Sequence, residues 1–261
     1  GGGGGLPAVG IIPSGTDGAF AKFVTNMNPL IAAQAIINRA ELRPLDVLKL
    51  TYPSTPGREE EDDRFSVCGT AWGIPGQIAK ESEALRESWG IHRYAASLVK
   101  SIVTLRPAKG SIRIIPALSR ETAASAACTA KCRICSDLAI GVAEGVIEKG
   151  REVVLEGEFL FAACLKTERT VTPFPHASDG CMDVFVIQAQ NHFSLASLYA
   201  TVDPRGSHLK DKRFHFYKAV ECTFTPDSEE DSFNVDGEIG KAAQTHITVL
   251  PSAVSVFFAL P

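Results

Sequence analysis

The sequence lacks several features that would narrow its class at once. It has no apolar run near the roughly 20 residues that a membrane-spanning helix needs. It has no positive surplus either, since 26 Lys and Arg face 30 Asp and Glu, and this net charge of −4 predicts no nucleic-acid partner. An initiator methionine is also missing, and the first five residues are glycines. Such a start is typical of a linker or a cut end, so we expect part of a longer protein.

The seven cysteines do not indicate a disulfide framework, because their number is odd and the chain is long. A reducing, cytosolic setting is the simpler interpretation. Cys128, Cys132 and Cys135 have the C-x3-C-x2-C spacing of cysteines that hold an iron–sulfur cluster. Their surroundings are rich in Ala, Thr and Ser, which favours an insertion with free thiols, and an iron–sulfur enzyme is the distant alternative.

The run from Val9 to Lys22 is the most informative feature that is present. Residues 6–13 predict a buried strand of parallel type, which stops at a proline. A small-residue loop follows at 14–18, and a helix-compatible segment comes after it. Backbone N–H groups and a hydroxyl at the end of a strand are suited to an anionic group such as phosphate. A plain turn is the alternative.

The rest of the chain divides into a short α/β part and a longer β-rich part. Asn28 before Pro29 predicts a helix start that continues over 30–37. Further helices are predicted over 79–105 and 192–201. The predicted strands cover 46–52, 64–71, 111–115, 153–155, 159–165, 182–188, 214–223 and 248–258. We therefore expect the C-terminal part of an α/β domain, residues 1–44, followed by an antiparallel β-rich domain, residues 45–261, with an insertion at about 118–150.

Five short motifs occur in an order that a known family shares. They are IIPSGT at 11–16, RAELRPLDV at 39–47, the pieces SV, AWG, ESE and GIHRY between 66 and 94, SDGCMDV at 178–184, and NVDGE at 234–238. Together they resemble the sphingosine kinase and ceramide kinase branch of the diacylglycerol kinase catalytic superfamily. The resemblance implies that the α/β part binds nucleotide and that the β-rich part is a β-sandwich-like lipid-binding domain.

The resemblance also implies an ATP and Mg²⁺ site in the cleft between the two parts. It assigns nucleotide binding to Ser14, Gly15, Thr16, Arg39, Asp236, Gly237 and Glu238. Carboxylates two residues apart on an extended segment share one face, so Asp236 and Glu238 are expected to reach the same Mg²⁺. The alternatives are a solvated turn for these acids and a surface arginine at a helix end for Arg39.

The implied substrate is a lipid, with its tail inside the β-rich domain. The expected substrate-binding residues are Asn28, Asp46, Phe65, Trp72 and Ile74. Because such a substrate resides in membranes, the resemblance implies a cytoplasmic protein with peripheral membrane contact.

Two departures from the family pattern limit these expectations. The family's glycine-rich loop, which carries the general base, would lie upstream of Gly1, so the catalytic residue is unknown and this chain alone is expected to be inactive. Asparagines at 26 and 28 stand where sphingosine kinases carry an acid for the sphingoid ammonium.

We expect an ATP-dependent lipid kinase for the primary hydroxyl of a sphingoid base. Ceramide or diacylglycerol is the alternative substrate. A non-catalytic lipid-binding or scaffold protein with a degenerate kinase fold is the alternative from another class.

Overall fold

A computed structural model of the chain describes residues 8–14, 18–25, 27–39, 42–53, 63–84, 106–117, 151–167, 171–172, 175–189, 207–211 and 213–258. The predicted helix over 192–201, most of that over 79–105, the insertion near 118–150 and the Cys128, Cys132 and Cys135 triplet lie outside these residues. Within the described ranges, no helix has the length and apolar character that crossing a membrane requires.

The α/β part contributes one short strand and two helices. These are β1 (Ala8–Val9), α1 (Ala19–Thr25) and α2 (Pro29–Ile37). The side chain of Asn28 caps α2 as predicted, since its Oδ1 accepts hydrogen bonds from the N–H groups of Leu30 and Ile31, both at 3.1 Å. β1 pairs in parallel with the last strand, but the prediction that it is buried is wrong, because Ala8 is exposed.

The β-rich part is almost entirely antiparallel, which confirms the predicted fold class. Its strands follow in the order β10-β9-β4-β6-β5-β8-β11-β2-β3, and β7 pairs with both β6 and β8. The elements are β2 (Leu42–Thr51), β3 (Arg64–Ser66), β4 (Gly69–Gly73), α3 (Ile74–Ala84), β5 (Ala108–Pro116), β6 (Val153–Leu165), β7 (Met182–Gln188), β8 (Phe214–Pro226), β9 (Ser232–Val235), β10 (Glu238–Lys241) and β11 (Thr245–Phe257). β2 spans residues 44 and 45, between which the domain boundary is expected. The division into two domains at this point stays a prediction.

Two hydrophobic cores lie on opposite faces of the strands. Val184 and Val186 of β7 point into the core around Trp72, whereas Phe185 and Ile187 point into the other. This alternation follows from the two-residue period of a strand. A third cluster joins α1 to β2 and β11 through Phe23, Val24, Leu45, Val256 and Phe258.

The predicted strand over 64–71 is two strands, interrupted at Val67 and Cys68. The N–H groups of both residues donate to the carboxylate of Asp236, so they are not available to a strand partner. The following helix begins at Ile74 rather than at Ala79, because Pro75 is tolerated in its first turn.

Candidate functional site

Four of the five motifs are joined by polar contacts, either directly or through Lys166. They contribute Asp46, the loop 66–69, Asp179 with Asp183, and Asp236. The loop 66–69 links Lys166 to Asp236. Cys68 O accepts a hydrogen bond from Lys166 N at 2.8 Å, and Cys68 N donates to the carboxylate of Asp236. Motifs that are far apart in sequence therefore form one continuous structure.

The loop 66–69 wraps around the carboxylate of Asp236. Oδ1 accepts from Ser66 Oγ at 2.5 Å and from the N–H groups of Cys68 and Gly69 at 3.0 Å each. Oδ2 accepts from the N–H of Val67 at 2.9 Å. Successive backbone N–H groups of this kind form an anion-binding concavity, and here a side chain of the same protein occupies it.

Asp236 and Gly237 form the two-residue turn between β9 and β10. Both have positive φ, 51° and 96°, and Val235 pairs with Glu238 across the turn. Positive φ at both central residues is typical of the type I′ hairpin that Asp-Gly favours. The expectation that Asp236 and Glu238 share one face of an extended segment is therefore wrong.

A buried charge network lies next to the loop 66–69. It alternates in sign through Asp46, Lys166, Asp179, Lys218 and Asp183, and each side chain in it is at most 2% exposed. Lys166 Nζ lies 2.7 Å from Asp46 Oδ2 and 2.6 Å from Asp179 Oδ1. Lys218 Nζ lies 2.8 Å from Asp179 Oδ2 and 2.5 Å from Asp183 Oδ1.

The aspartates at the two ends of the network, Asp46 and Asp183, differ in their hydrogen bonds. Asp46 also accepts from the N–H groups of Gly180 and Ser252, both at 2.8 Å, so it joins β2 to the irregular part of β11. Asp183 is close to Lys218, but neither of its oxygens makes a well-oriented hydrogen bond within the described ranges. Both carboxylate oxygens of Asp46 therefore have hydrogen-bond partners, whereas Asp183 has only its ion pair with Lys218 among the described residues.

The pKa values of Asp179 and Asp183 move in opposite directions. Burial alone raises the pKa of Asp179, but the charges of Lys166 and Lys218 outweigh this effect and hold that pKa well below its usual range. Burial also raises the pKa of Asp183, and the attraction of Lys218 only partly offsets it. Burial lowers the pKa of neighbouring His176, whose Nδ1 accepts a hydrogen bond from Ser178 N.

The expected lipid-binding residues are not brought together. Trp72 is fully buried in one core, where its Nε1 donates to Asp231 Oδ2 at 3.1 Å. Ile74 is buried in the core on the other face, and Phe65 is 59% exposed on β3. Asp46 belongs to the charge network. Their substrate roles stay predictions, but the described residues place them in four different environments.

On the nucleotide side, Ser14 and Arg39 are exposed in the α/β part. Asn28 lies there too, but its side-chain oxygen is used by the α2 cap. Gly15 and Thr16 lie outside the described residues. Glu238 is exposed at the start of β10, so its carboxylate is accessible to a ligand.

The two acids predicted to hold Mg²⁺ differ in how well they fit it. Asp236 does not fit, since both of its oxygens already accept hydrogen bonds from the loop 66–69. Glu238 fits, because Mg²⁺ in phosphoryl-transfer sites needs only one or two carboxylates besides phosphate oxygens and water. No group of three or more His, Cys, Asp or Glu within the described part of the chain is arranged to hold a metal ion.

The sequence reasoning missed Lys166 and Lys218, although a signal was present. Each is a single lysine within or just after an otherwise apolar strand, at FLFAACLK and FHFYKAV. A lysine in such a run is almost never fully buried without a charged partner, and this observation would have pointed to buried acids.

Comparison with known proteins agrees with this geometry. Residues 165–258 match the family described as the YegS C-terminal NAD kinase beta sandwich-like domain. The ceramide kinase of Homo sapiens is 23% identical over 261 residues, covering 92% of this chain and 47% of that protein. The ceramide kinase of Arabidopsis thaliana is 25% identical over 290 residues, covering 98% and 47%. The chain thus spans about half the length of these relatives.

A solved structure of similar fold is described as that of a diacylglycerol kinase from Bacillus anthracis str. Sterne. It has a TM-score of 0.57 and 16% identity, and covers 97% of this chain and 68% of that one. The β-sandwich-like architecture is confirmed by this likeness and by the matched domain. The chain is therefore similar in sequence to ceramide kinases and in fold to a diacylglycerol kinase structure, and this similarity confirms the resemblance that its motifs indicated.

Proposed function

We propose that the full protein is an ATP-dependent lipid kinase that phosphorylates the primary hydroxyl of a sphingoid-type lipid. The observation that carries the proposal is that hydrogen bonds and ion pairs join four motifs, either directly or through Lys166. The exposed Glu238 lies at the start of β10, directly after the turn whose Asp236 is bound by the loop 66–69, and this fixed attachment supports a role in positioning a ligand.

In this proposal, the loop 14–18 and Arg39 hold the nucleotide phosphates from the α/β side. A planar guanidinium can pair with two phosphate oxygens at once. Glu238 faces the nucleotide from the β-rich side and is the residue that would hold Mg²⁺, whose charge offsets that of the phosphates. The general base is assigned to the segment upstream of Gly1, in line with the family resemblance.

We further propose that the preferred lipid is an N-acylated sphingoid such as ceramide rather than free sphingosine. Two of the relatives described above are ceramide kinases. Free sphingosine carries an ammonium group, which favours a carboxylate partner. Asn28 has no carboxylate, and its oxygen accepts two hydrogen bonds of the α2 cap.

The test is a kinase assay on the full-length protein with ATP and, separately, ceramide, sphingosine and diacylglycerol in mixed micelles. We expect the highest kcat/KM with ceramide. Glu238→Gln should lower kcat about 100-fold, in line with the loss of an electrostatic contact to the transferring group, while the circular dichroism spectrum stays unchanged.

Other outcomes would identify the alternatives. A higher kcat/KM with sphingosine or diacylglycerol would overturn the ceramide assignment alone. Intact lipid binding without turnover of any lipid would favour the scaffold protein, and unchanged kinetics of Glu238→Gln would remove Glu238 from the site.

A further inference from the structure

We infer that Asp236 is a positioning residue, which sets Glu238 against the α/β part of the site and binds neither nucleotide nor metal itself. The inference rests on the proposed function, because it concerns the geometry of that same site. Its starting point is the loop 66–69, which contacts Asp236 and also the hydrophobic cluster that contains Phe23.

The first half of the link runs from Asp236 to the loop 66–69. The carboxylate accepts four hydrogen bonds from this loop, and the N–H of Asp236 donates to Gly69 O at 3.0 Å. A two-residue turn held in this way has little freedom to rotate. Glu238 is two residues further along the chain and pairs with Val235 across the turn. Its position therefore depends on that of Asp236.

The second half runs from the loop to the hydrophobic cluster that joins α1 to β2 and β11. The side chain of Val67 packs against this cluster, which contains Phe23 of α1. The loop thus contacts Asp236 through three backbone N–H groups and the Ser66 hydroxyl, and it contacts the cluster through the side chain of Val67. Because α1 starts at Ala19, directly after the residues 14–18 to which we assign phosphate binding, these contacts link the two proposed halves of the nucleotide site.

The effect of changing Ser66 distinguishes a positioning role of Asp236 from direct binding of a ligand by Asp236. Ser66 lies 170 residues before Asp236, at the β3 end of the loop, and its hydroxyl donates a hydrogen bond to Asp236 Oδ1. If Asp236 acts through the loop, removing the Ser66 hydroxyl should reproduce part of the effect of changing Asp236. If Asp236 instead binds Mg²⁺ or phosphate directly, Ser66 should matter little.

The experiment compares Asp236→Asn, Ser66→Ala, the double variant and Glu238→Gln in the full-length protein. The Kd of an ATP analogue, kcat, KM for ATP and the Mg²⁺ concentration for half-maximal activity are measured. We expect Kd and KM to rise about tenfold for Asp236→Asn and about threefold for Ser66→Ala, as small misplacements in a phosphoryl-transfer site do. The double variant should resemble Asp236→Asn, and because Glu238 is the proposed Mg²⁺ ligand, the half-maximal Mg²⁺ concentration should rise in both single variants, more in Asp236→Asn than in Ser66→Ala.

Asp231→Asn is the matched control, since it neutralises a carboxylate just before the same hairpin that accepts its hydrogen bond from Trp72 rather than from the loop. It should leave the Kd unchanged. A shifted Mg²⁺ requirement in Asp236→Asn, with Ser66→Ala equal to wild type, would overturn the inference. If Glu238→Gln impairs binding but neither Asp236→Asn nor Ser66→Ala does, only the positioning role fails. If Glu238→Gln has no effect, the proposed site itself fails.

Discussion

Asp179→Asn is expected to lower the free energy of unfolding by about 3–5 kcal/mol at neutral pH, whereas Asp183→Asn should change it by no more than about 1 kcal/mol. The two substitutions are chemically identical, both sites are at most 2% exposed, and both carboxylates lie within 2.8 Å of Lys218 Nζ. The difference therefore tests the electrostatics of the network and not burial.

The expected contrast follows from the partners of each acid. Asp179 neutralises both Lys166 and Lys218, so its removal leaves two buried ammonium groups short of a counter-charge. Breaking a buried ion pair from one side is strongly destabilising because the remaining charge stays desolvated. Asp183 has one charged partner, and burial already raises its pKa, so a neutral amide there relieves a penalty while losing one contact.

The pH dependence has opposite signs for the two acids. The pKa of Asp179 is lowered in the folded state, so its stabilisation is present above about pH 4, the unfolded value, and is lost as the pH falls through its folded pKa. The pKa of Asp183 is raised, so its contribution is favourable at low pH and is lost as the pH rises from about 4 through its folded pKa.

Urea unfolding, followed by tryptophan fluorescence between pH 3 and pH 8, measures both effects. The difference between wild type and Asp179→Asn should shrink at the acid end of this range. Lys109→Met, which breaks an exposed pair with Glu158, is the control and should have little effect. Equal destabilisation by Asp179→Asn and Asp183→Asn would contradict the assigned electrostatics.

Trp72→Ala should cost about 3–5 kcal/mol of folding stability, the usual range for deleting a fully buried large aromatic side chain. The indole has ring neighbours Phe159, Phe224 and Phe233 with centroids 5.8 to 6.1 Å away. On its other side it meets Gly110, where a Cβ would lie 2.9 Å from Cη2. The side chain is thus closely surrounded by other core residues.

Trp72→Phe separates a core role from a lipid-binding role. It keeps an aromatic ring but loses the hydrogen bond to Asp231, so it should lower the melting temperature and leave the KM for lipid unchanged. Phe65→Ala is the comparison, because Phe65 is exposed and its loss should hardly affect stability. A changed lipid KM in Trp72→Phe, at a temperature where the variant is folded, would return Trp72 to the lipid site.

Several parts of the fold could be predicted from the sequence because local chemistry determines them. The α2 start at Asn28 and Pro29 depends on one cap and one fixed φ. β7 was predicted at 182–188, as observed, because it is a short apolar run bounded by polar residues. The β9–β10 hairpin was missed as strands, although its Asp-Gly pair is a strong local turn signal.

The candidate site was predictable only in part. Four of its five motifs are joined by polar contacts in the structure, while the site roles of their residues stay predictions. The role of Asp236 was not predictable, because its partners in the loop 66–69 lie about 170 positions away. The substrate residues were predicted by alignment with a family pattern, which does not reveal that Trp72 and Ile74 face different cores.

The sequence by itself determined the β-rich class, the capped helix, the Asp-Gly turn and the resemblance to lipid kinases. Each depends on residues within a few positions of one another, or on their order along the chain. Only the tertiary structure decided that the carboxylate of Asp236 accepts hydrogen bonds from the loop 66–69, and that Lys166 and Lys218 alternate with three aspartates. Such contacts join strands that are distant in sequence, and their energy depends on distances of 2.5 to 3.0 Å and on complete burial. These quantities arise only when the strands pair.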